Sequence, residues 1–300
     1  MKVFVTGVGG QLGYDVMKEL EKRGYIAVGS DVQESSAFFK NYIKLDFTDK
    51  NAVFSVLEQI KPDAVIHCGA WTAVDDAEDE QNREKVKKIN ETGTENIAQA
   101  CKKIDCKMVY ISTDYVFDGQ GDKPWQPDCK DYSPLNVYGQ TKLDGEKAVA
   151  RNLDKYFIVR IAWVFGQNGK NFIKTMLNLA DKGYKELNVV NDQIGTPTYT
   201  YDLARLLVDM VETEKYGYYH ATNEGGYISW ADFAEEIFSQ AGKNVKVNRV
   251  TTQQYGLSKA KRPFNSRLDK SKLVENGFKP LPDWKDALKR FLQKISNQRR

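Results

Sequence analysis

Histidine is nearly absent from this chain, with only His67 and His220 in 300 residues. Cysteine is almost as scarce: Cys68, Cys101, Cys106 and Cys129 occur, with no Cys-x-x-Cys pair among them. These shortages argue against a zinc site and against a Ser-His-Asp triad. No run of 18 apolar residues occurs, which argues against a membrane-spanning helix. Met1-Lys2 leads directly into Val3-Phe4-Val5, without the apolar leader and small-residue cleavage site of a secreted chain, so a cytoplasmic location is expected. Charge of one sign is missing too: 44 Lys and Arg against 41 Asp and Glu leave +3, which gives no reason to expect a nucleic-acid partner. With 41% hydrophobic and 28% charged residues, the composition excludes disorder. At about 150 residues per domain, the length predicts two domains or one large α/β unit.

What the sequence does have is alternation. From residue 1 to about 166, short apolar runs alternate with longer stretches of 3.6-residue period. The runs are Val3-Phe4-Val5, Ile26-Ala27-Val28, Ala64-Val65-Ile66, Met108-Val109-Tyr110-Ile111 and Phe157-Ile158-Val159, and the periodic stretches cover roughly 11–23, 49–60, 83–103 and 137–152. Strands apolar on both faces predict a parallel sheet wrapped by crossover helices: an α/β, Rossmann-type doubly wound fold. After Gly166 the pattern loosens into helices near 171–182, 200–213, 229–241 and from about 284, with a strand over 187–190. The expected organisation is a dinucleotide-binding domain of residues 1–166 and 187–222, with a smaller C-terminal α/β substrate-binding domain of 167–186 and 223–300. Gly119 to Pro134 reads as a long loop, and long ordered loops tend to be functional. Asn297 to Arg300 reads as a frayed, solvated end.

The first strand runs straight into Gly7-Val8-Gly9-Gly10-Gln11-Leu12-Gly13 at the start of a helix. Glycines at 7, 10 and 13 permit a tight turn, close backbone approach to a pyrophosphate, and close packing of helix on strand, while the helix start offers free N–H donors. A lone glycine triplet is weak, because tight turns use it for packing alone. Asp31, after the second strand, supplies the other half of the fingerprint: a carboxylate placed to accept from the adenosine ribose. An acid there repels a 2′-phosphate, and the loop carries no Arg to bind one, so NADH is the expected cofactor, with NADPH as the alternative. Asp46 and Phe47 are candidates to hold the adenine, although acids before helices, such as Asp49, commonly act only as caps.

Tyr138 and Lys142 lie four apart on an expected helix and share a face, where an ammonium can ease ionisation of the phenol. The spacing alone means little, since Tyr14/Lys18 and Tyr255/Lys259 repeat it. Position distinguishes the first pair: Tyr138 follows a strand ending in Ser112-Thr113, and ligands of parallel sheets gather at the carboxyl ends of strands. Thr113, Tyr138 and Lys142 are therefore the candidate catalytic residues.

Taken with Thr6 to Gly13, further runs carry a resemblance. They are Ala70 to Asp75, Ser112-Thr113-Asp114-Tyr115-Val116-Phe117, Asn136 to Lys142, Asn191 to Pro197 and Arg262 to Leu268. Across nearly its whole length the chain resembles the dTDP-4-dehydrorhamnose reductase family of the extended short-chain dehydrogenase/reductase superfamily. The resemblance implies Tyr138 as general acid, Lys142 as holder of the nicotinamide ribose and tuner of Tyr138, and Thr113 as a hydrogen-bond partner of the reacting carbonyl. It implies that Gly69, Ala70, Thr72 and Asn90 join the cofactor site, and that Val74, Asp114, Tyr115, Trp163, Asn171, Arg262 and Arg267 line a sugar-nucleotide site. Some members hold magnesium at a dimer contact built from glutamates. Asp15 and Tyr201 stand where two of those align here, so no metal is implied, while a homodimer stays open. The implied reaction is reduction of the 4-keto group of dTDP-4-dehydro-L-rhamnose by NAD(P)H. Sugar-nucleotide dehydratases of this fold place a Glu after the Thr-Asp pair as base, and Tyr115 occupies that position. The acid/base Cys and His of epimerase–reductases do not follow Ser112-Thr113. Another sugar-nucleotide reductase or epimerase, or a non-catalytic cofactor-binding subunit of the kind that regulates methionine adenosyltransferase, stays open as an alternative.

Overall fold

The structure is a computed structural model that describes residues 1–298; Arg299 and Arg300, expected to be frayed, lie outside the described residues. The first half alternates as its pattern predicts. In order it contains β1 (Lys2–Thr6), α1 (Gln11–Lys22), β2 (Ile26–Asp31), β3 (Tyr42–Lys44), α2 (Lys50–Ile60), β4 (Ala64–His67), α3 (Glu80–Lys87), α4 (Thr94–Lys103), β5 (Lys107–Thr113), α5 (Val137–Asn152) and β6 (Tyr156–Ile161). The second half adds β7 (Val164–Phe165), α6 (Phe172–Asp181), β8 (Glu186–Val190), β9 (Ile194–Gly195), β10 (Thr198–Tyr199), α7 (Thr200–Val211) and β11 (Gly217–His220). It closes with β12 (Asn223–Glu224), β13 (Ile228–Ser229), α8 (Trp230–Gln240), β14 (Lys246–Val250), α9 (Thr252–Tyr255), α10 (Ser271–Glu275), β15 (Leu281–Asp283) and α11 (Trp284–Gln298). Where one helix over 83–103 is expected, the helical stretch starts at Glu80, and a π-helical turn over Lys88–Gly93 separates α3 from α4.

Seven strands form one sheet in the order β11-β6-β5-β4-β1-β2-β3, every pair parallel. β-Alternation sends Val3 and Val5 to one face, with Val109, Val159 and α1 and α7, and Phe4 to the other, with Val65, Met108, Ile158 and α2, α4 and α5. Burial on both faces explains the unbroken apolar runs. Because β1 lies between β2 and β4, the chain reverses its direction of travel across the sheet beside β1. The carboxyl ends of β1 and β4 therefore open a crevice, the usual ligand position of this topology.

A second core gathers Phe165, Ile173, Leu177, Phe233, Ile237, Trp284, Leu288 and Phe291 between α6, α8 and α11. β8 pairs in parallel with β14 and contributes Val189 to this core, whereas α7 and β11 belong to the main sheet unit. Among the described residues, no helix is long and apolar enough to cross a membrane.

Candidate active site

β1 ends at Thr6 and the chain turns at once. Gly7 adopts φ +68°, and a Cβ there would stand 2.7 Å from the Gly69 backbone, so both backbone sign and space require glycine. A Cβ on Gly13 would collide with the Gly7 carbonyl. Gly10 precedes α1 without a side-chain cap, which leaves first-turn N–H groups directed at the crevice. Asp31 spans the far side of this loop, accepting from the N–H groups of Gly9 (2.9 Å) and Val32 (2.8 Å). Uncapped donors, glycines whose missing Cβ atoms leave a cradle, and a carboxylate against the edge of the loop fit a dinucleotide. Gln11 and Leu12 form the first turn of α1. Leu12 is buried, while Gln11 Oε1 accepts from Asn171 Nδ2 (3.0 Å), and Asn168 Nδ2 donates to the Gly9 carbonyl (2.7 Å). Asn171, which also caps α6, thereby ties the second half of the chain to the glycine loop.

At the end of β4, His67 is clamped between the hydroxyls of Thr6 (2.7 Å) and Thr94 (3.2 Å). Burial, reinforced by nearby Lys142, drives its pKa down to about 3, so it is a neutral scaffold. Phe47 wedges into a slot left by two glycines: a Cβ on Gly69 would stand 2.5 Å from its ring, and one on Gly93 would collide with it. Asp46 turns its carboxylate to the backbone and hydroxyl of Thr48 (2.9 and 2.7 Å). Asn90, in the π-helical turn, accepts from Trp71 N–H (2.8 Å) and donates to the Trp71 carbonyl (3.2 Å) and the Thr141 hydroxyl (3.1 Å). It pins the Gly69-Ala70-Trp71-Thr72 segment against α5.

Asn136 caps α5 through Gly139 N–H (2.8 Å), setting Tyr138 in the first turn and Lys142 one turn on. β5 delivers Thr113 beside them, near enough to Tyr138 to favour ionisation of its phenol. Burial first, and the Asp114 carboxylate second, hold the Tyr138 hydroxyl well above the usual phenol range, Thr113 opposing them. It is a protonated acid at neutral pH. The Lys142 ammonium lies 4.1 Å from the centroid of the Tyr110 ring, and burial lowers its pKa to about 7 against the opposing pull of Glu146 and Cys68. Asp114 is buried; Oδ1 accepts from the Thr113 hydroxyl (3.0 Å), while Oδ2 has no hydrogen-bond partner among the described residues. Desolvation raises its carboxyl to about 6, opposed by the hydroxyls of Ser266 and Thr113. Tyr115 packs edge-on to Tyr138, with centroids 5.7 Å apart. The other two Tyr/Lys spacings have structural uses: Tyr14 packs on Phe38, Lys18 pairs with Glu21, and Lys259 pairs with Asp79.

Across the crevice, Arg262 reaches Asp75 (2.6 Å), the Tyr115 hydroxyl (3.3 Å) and the Ser258 hydroxyl (3.3 Å). Arg267 donates to Asn265 Oδ1 (3.0 Å). Trp163 sits at φ +51°, costly for a side chain of its size, and stacks on Trp230 with centroids 3.8 Å apart. Val74 is half-buried and Thr72 exposed at the crevice edge. Sequence reasoning missed Glu146, Arg160, Ser112, Asp75 and Asn168. Two of these left a signal: Glu146 extends the four-residue stripe of Tyr138 and Lys142, and Arg160 is a charge inside the apolar run Phe157-Ile158-Val159-Arg160-Ile161.

A doubly wound sheet with Thr, Tyr and Lys converging at its carboxyl edge defines a short-chain reductase of the extended type. The family model of the RmlD substrate binding domain matches residues 1–297. A dTDP-4-dehydrorhamnose reductase of Shigella flexneri is 38% identical over 307 residues, covering 98% of each chain. The spore coat polysaccharide biosynthesis protein SpsK of Bacillus subtilis is 37% identical over 296 residues, 99% of this chain and 98% of its own. Two solved structures of such reductases superpose closely. The one from Clostridium acetobutylicum has TM-score 0.91 and 40% identity, covering 99% of this chain and 100% of its own. The one from Bacillus anthracis, in complex with NADP, has TM-score 0.89 and 38% identity, covering 98% and 99%. The chain belongs to the dTDP-4-dehydrorhamnose reductase family.

Proposed function

We propose that this protein reduces the 4-keto group of dTDP-4-dehydro-L-rhamnose to the alcohol of dTDP-L-rhamnose in the cytoplasm. The observation that carries the reading is the convergence of the Thr113 and Tyr138 hydroxyls, with buried Lys142 one turn on, beside a glycine cradle. Bound NAD(P)H supplies a hydride to C4; NADPH is favoured by the relative solved with NADP. The glycine loop and the start of α1 hold its pyrophosphate, Asp31 the adenosine ribose, and Lys142 the nicotinamide ribose. Thr113 donates to the carbonyl oxygen and fixes its direction. Tyr138, kept protonated by burial, gives its proton to that oxygen as negative charge develops there, a contribution of about 10²–10⁴-fold. With Tyr115 in place of a carboxylate after Asp114, the site lacks a base for elimination, which favours reduction alone.

Of the expected 187–222 piece, α7 and β11 join residues 1–166 in the cofactor half in this reading, while β8, paired with β14, goes with 167–186 and 223–298 in the sugar-nucleotide half. A homodimer, which the resemblance leaves open, is tested by gel filtration. Incubation with NADPH or NADH and dTDP-4-dehydrorhamnose, followed by product analysis, tests the reaction. dTDP-L-rhamnose formed with stoichiometric cofactor oxidation is expected; cofactor binding without turnover would indicate the non-catalytic subunit instead.

A further inference from the structure

Four-residue steps return to the same face of a helix, so residues 138, 142 and 146 of α5 form one stripe. Tyr138 and Lys142 belong to the site above. Glu146, one turn beyond Lys142, is 1% exposed, and Arg160 on β6 is fully buried beside it. The two join through a bidentate pair, Nε to Oε1 at 2.8 Å and Nη2 to Oε2 at 2.8 Å. Glu146 Oε1 also accepts from the hydroxyl of Ser112, the neighbour of Thr113. Arg160 spends its other contacts on the long loop: Nη1 donates to the Pro127 carbonyl (3.0 Å) and Nη2 to the Tyr132 hydroxyl (2.9 Å). His220 Nε2 of β11 lies 3.4 Å from Nη1.

A buried ion pair of this kind is commonly no better for stability than apolar residues of the same shape, so stability alone is a weak reason for it. Its place is informative. From the end of β4, Lys142 is faced by His67, held neutral by burial, and by the Cys68 thiol, which burial pushes up to about 12. From β5 it is faced by the Tyr110 ring, also un-ionised, and from its own helix by Glu146. Of these groups only Glu146 is a carboxylate, and its ion pair with Arg160 and the Ser112 hydroxyl hold it in place.

We propose that Glu146, locked by Arg160, is a positioning residue of the reductase: the fixed counter-charge of the Lys142 ammonium, tied through Ser112 to the strand that carries Thr113. The inference rests on the reading of Lys142 as the holder of the nicotinamide ribose. Without Glu146, Lys142 is buried beside neutral groups and the Arg160 cation, and it gives up its proton at lower pH. Cofactor affinity then fails at lower pH as well.

The test is NADPH affinity measured by fluorescence titration across pH, for the wild type, Lys142→Met, Glu146→Gln and Glu146→Gln/Arg160→Met. Lys142→Met identifies the alkaline limb that belongs to Lys142. Glu146→Gln alone strands a buried guanidinium and is prone to unfold, so the double variant, which removes both charges, is decisive. Expected is an alkaline limb moved to lower pH by about one unit or more in a double variant that keeps its circular dichroism and melting profile. A folded double variant whose limb superimposes on that of the wild type, or whose affinity drops equally at every pH, overturns the proposal. Turnover of the sugar nucleotide is followed separately. A wild type that binds NADPH with this limb and reduces nothing refutes the functional reading and leaves the positioning role of Glu146 standing.

Discussion

Replacing Tyr138 by Phe removes one oxygen and little else. The ring keeps its edge-on contact with Tyr115 (5.7 Å, 81°), and the helix keeps its Asn136 cap. What stability loses is the polar contact of one buried hydroxyl, about 1 kcal/mol in net terms. Catalysis loses more. A proton donor contributes about 10²–10⁴-fold, or roughly 3–5 kcal/mol at about 1.4 kcal/mol per factor of ten. The two losses differ enough to separate in one preparation. Stopped-flow loss of nicotinamide absorbance at saturating substrate should show kcat reduced by at least about a hundredfold. NADPH affinity should hold within about twofold, because the phosphate and ribose contacts are untouched, and the melting temperature should move by no more than a few degrees. Since burial and Asp114 raise the Tyr138 hydroxyl above its ordinary range, the wild-type acid also stays protonated through neutral and mildly alkaline pH. A Phe variant that retains more than a tenth of wild-type kcat would show that the proton comes from elsewhere, with buried Asp114 the next group to examine.

Asp31→Ala should raise the NADPH-to-NADH affinity ratio, since it removes the carboxylate that faces a 2′-phosphate; an unchanged ratio by isothermal titration would mean the phosphate is read outside the loop. Lys142→Met should weaken the cofactor yet stabilise the apo protein, most of all at low pH. The folded-state pKa of Lys142 is lowered to about 7 from 10.5, so the cost of burying its charge is fully present below pH 7 and is relieved between 7 and 10.5. The gain in melting temperature should accordingly be larger at pH 6 than at pH 9, and a gain independent of pH would contradict the shift. Arg262→Ala should raise KM for the sugar nucleotide about tenfold, the loss of a charge-assisted hydrogen bond to its diphosphate, while cofactor affinity stays put. Arg262 is also engaged with Asp75, Tyr115 and Ser258, so an unchanged KM with a lowered melting temperature would make it purely structural.

The parts of this fold that were legible are those in which local pattern and tertiary role agree. β1, β2, β4, β5 and β6 are buried on both faces and read as unbroken apolar runs. β3 (Tyr-Ile-Lys) and β11 (Gly-Tyr-Tyr-His) are edge strands, packed on fewer sides, so nothing obliges them to look apolar, and only the register of the neighbouring strand makes them strands. The π-helical turn at Lys88–Gly93 has the same periodic sequence as the helices around it; what marks it is Asn90 bonding across to Trp71 and Thr141, partners 19 and 51 residues away. The site divides along the same line. Gly7 and Gly13 were readable because backbone geometry admits one residue type there, and Tyr138 and Lys142 because a helix brings them together locally. Arg262 was readable as a phosphate ligand by charge, yet its pairing with Asp75 joins residues 187 apart, and no periodicity encodes such a contact. Glu146 and Arg160 lie between the two cases. Each breaks a local rule, a carboxylate on the buried stripe of a helix and a guanidinium inside a core strand, and neither violation makes sense by itself. Placed together they satisfy each other's hydrogen bonds, and the chain can carry two charges through its core beside the crevice that holds a third. A charge where the pattern calls for an apolar residue was thus the signal available for this part of the site, and reading it requires looking for its partner before assigning it to the surface.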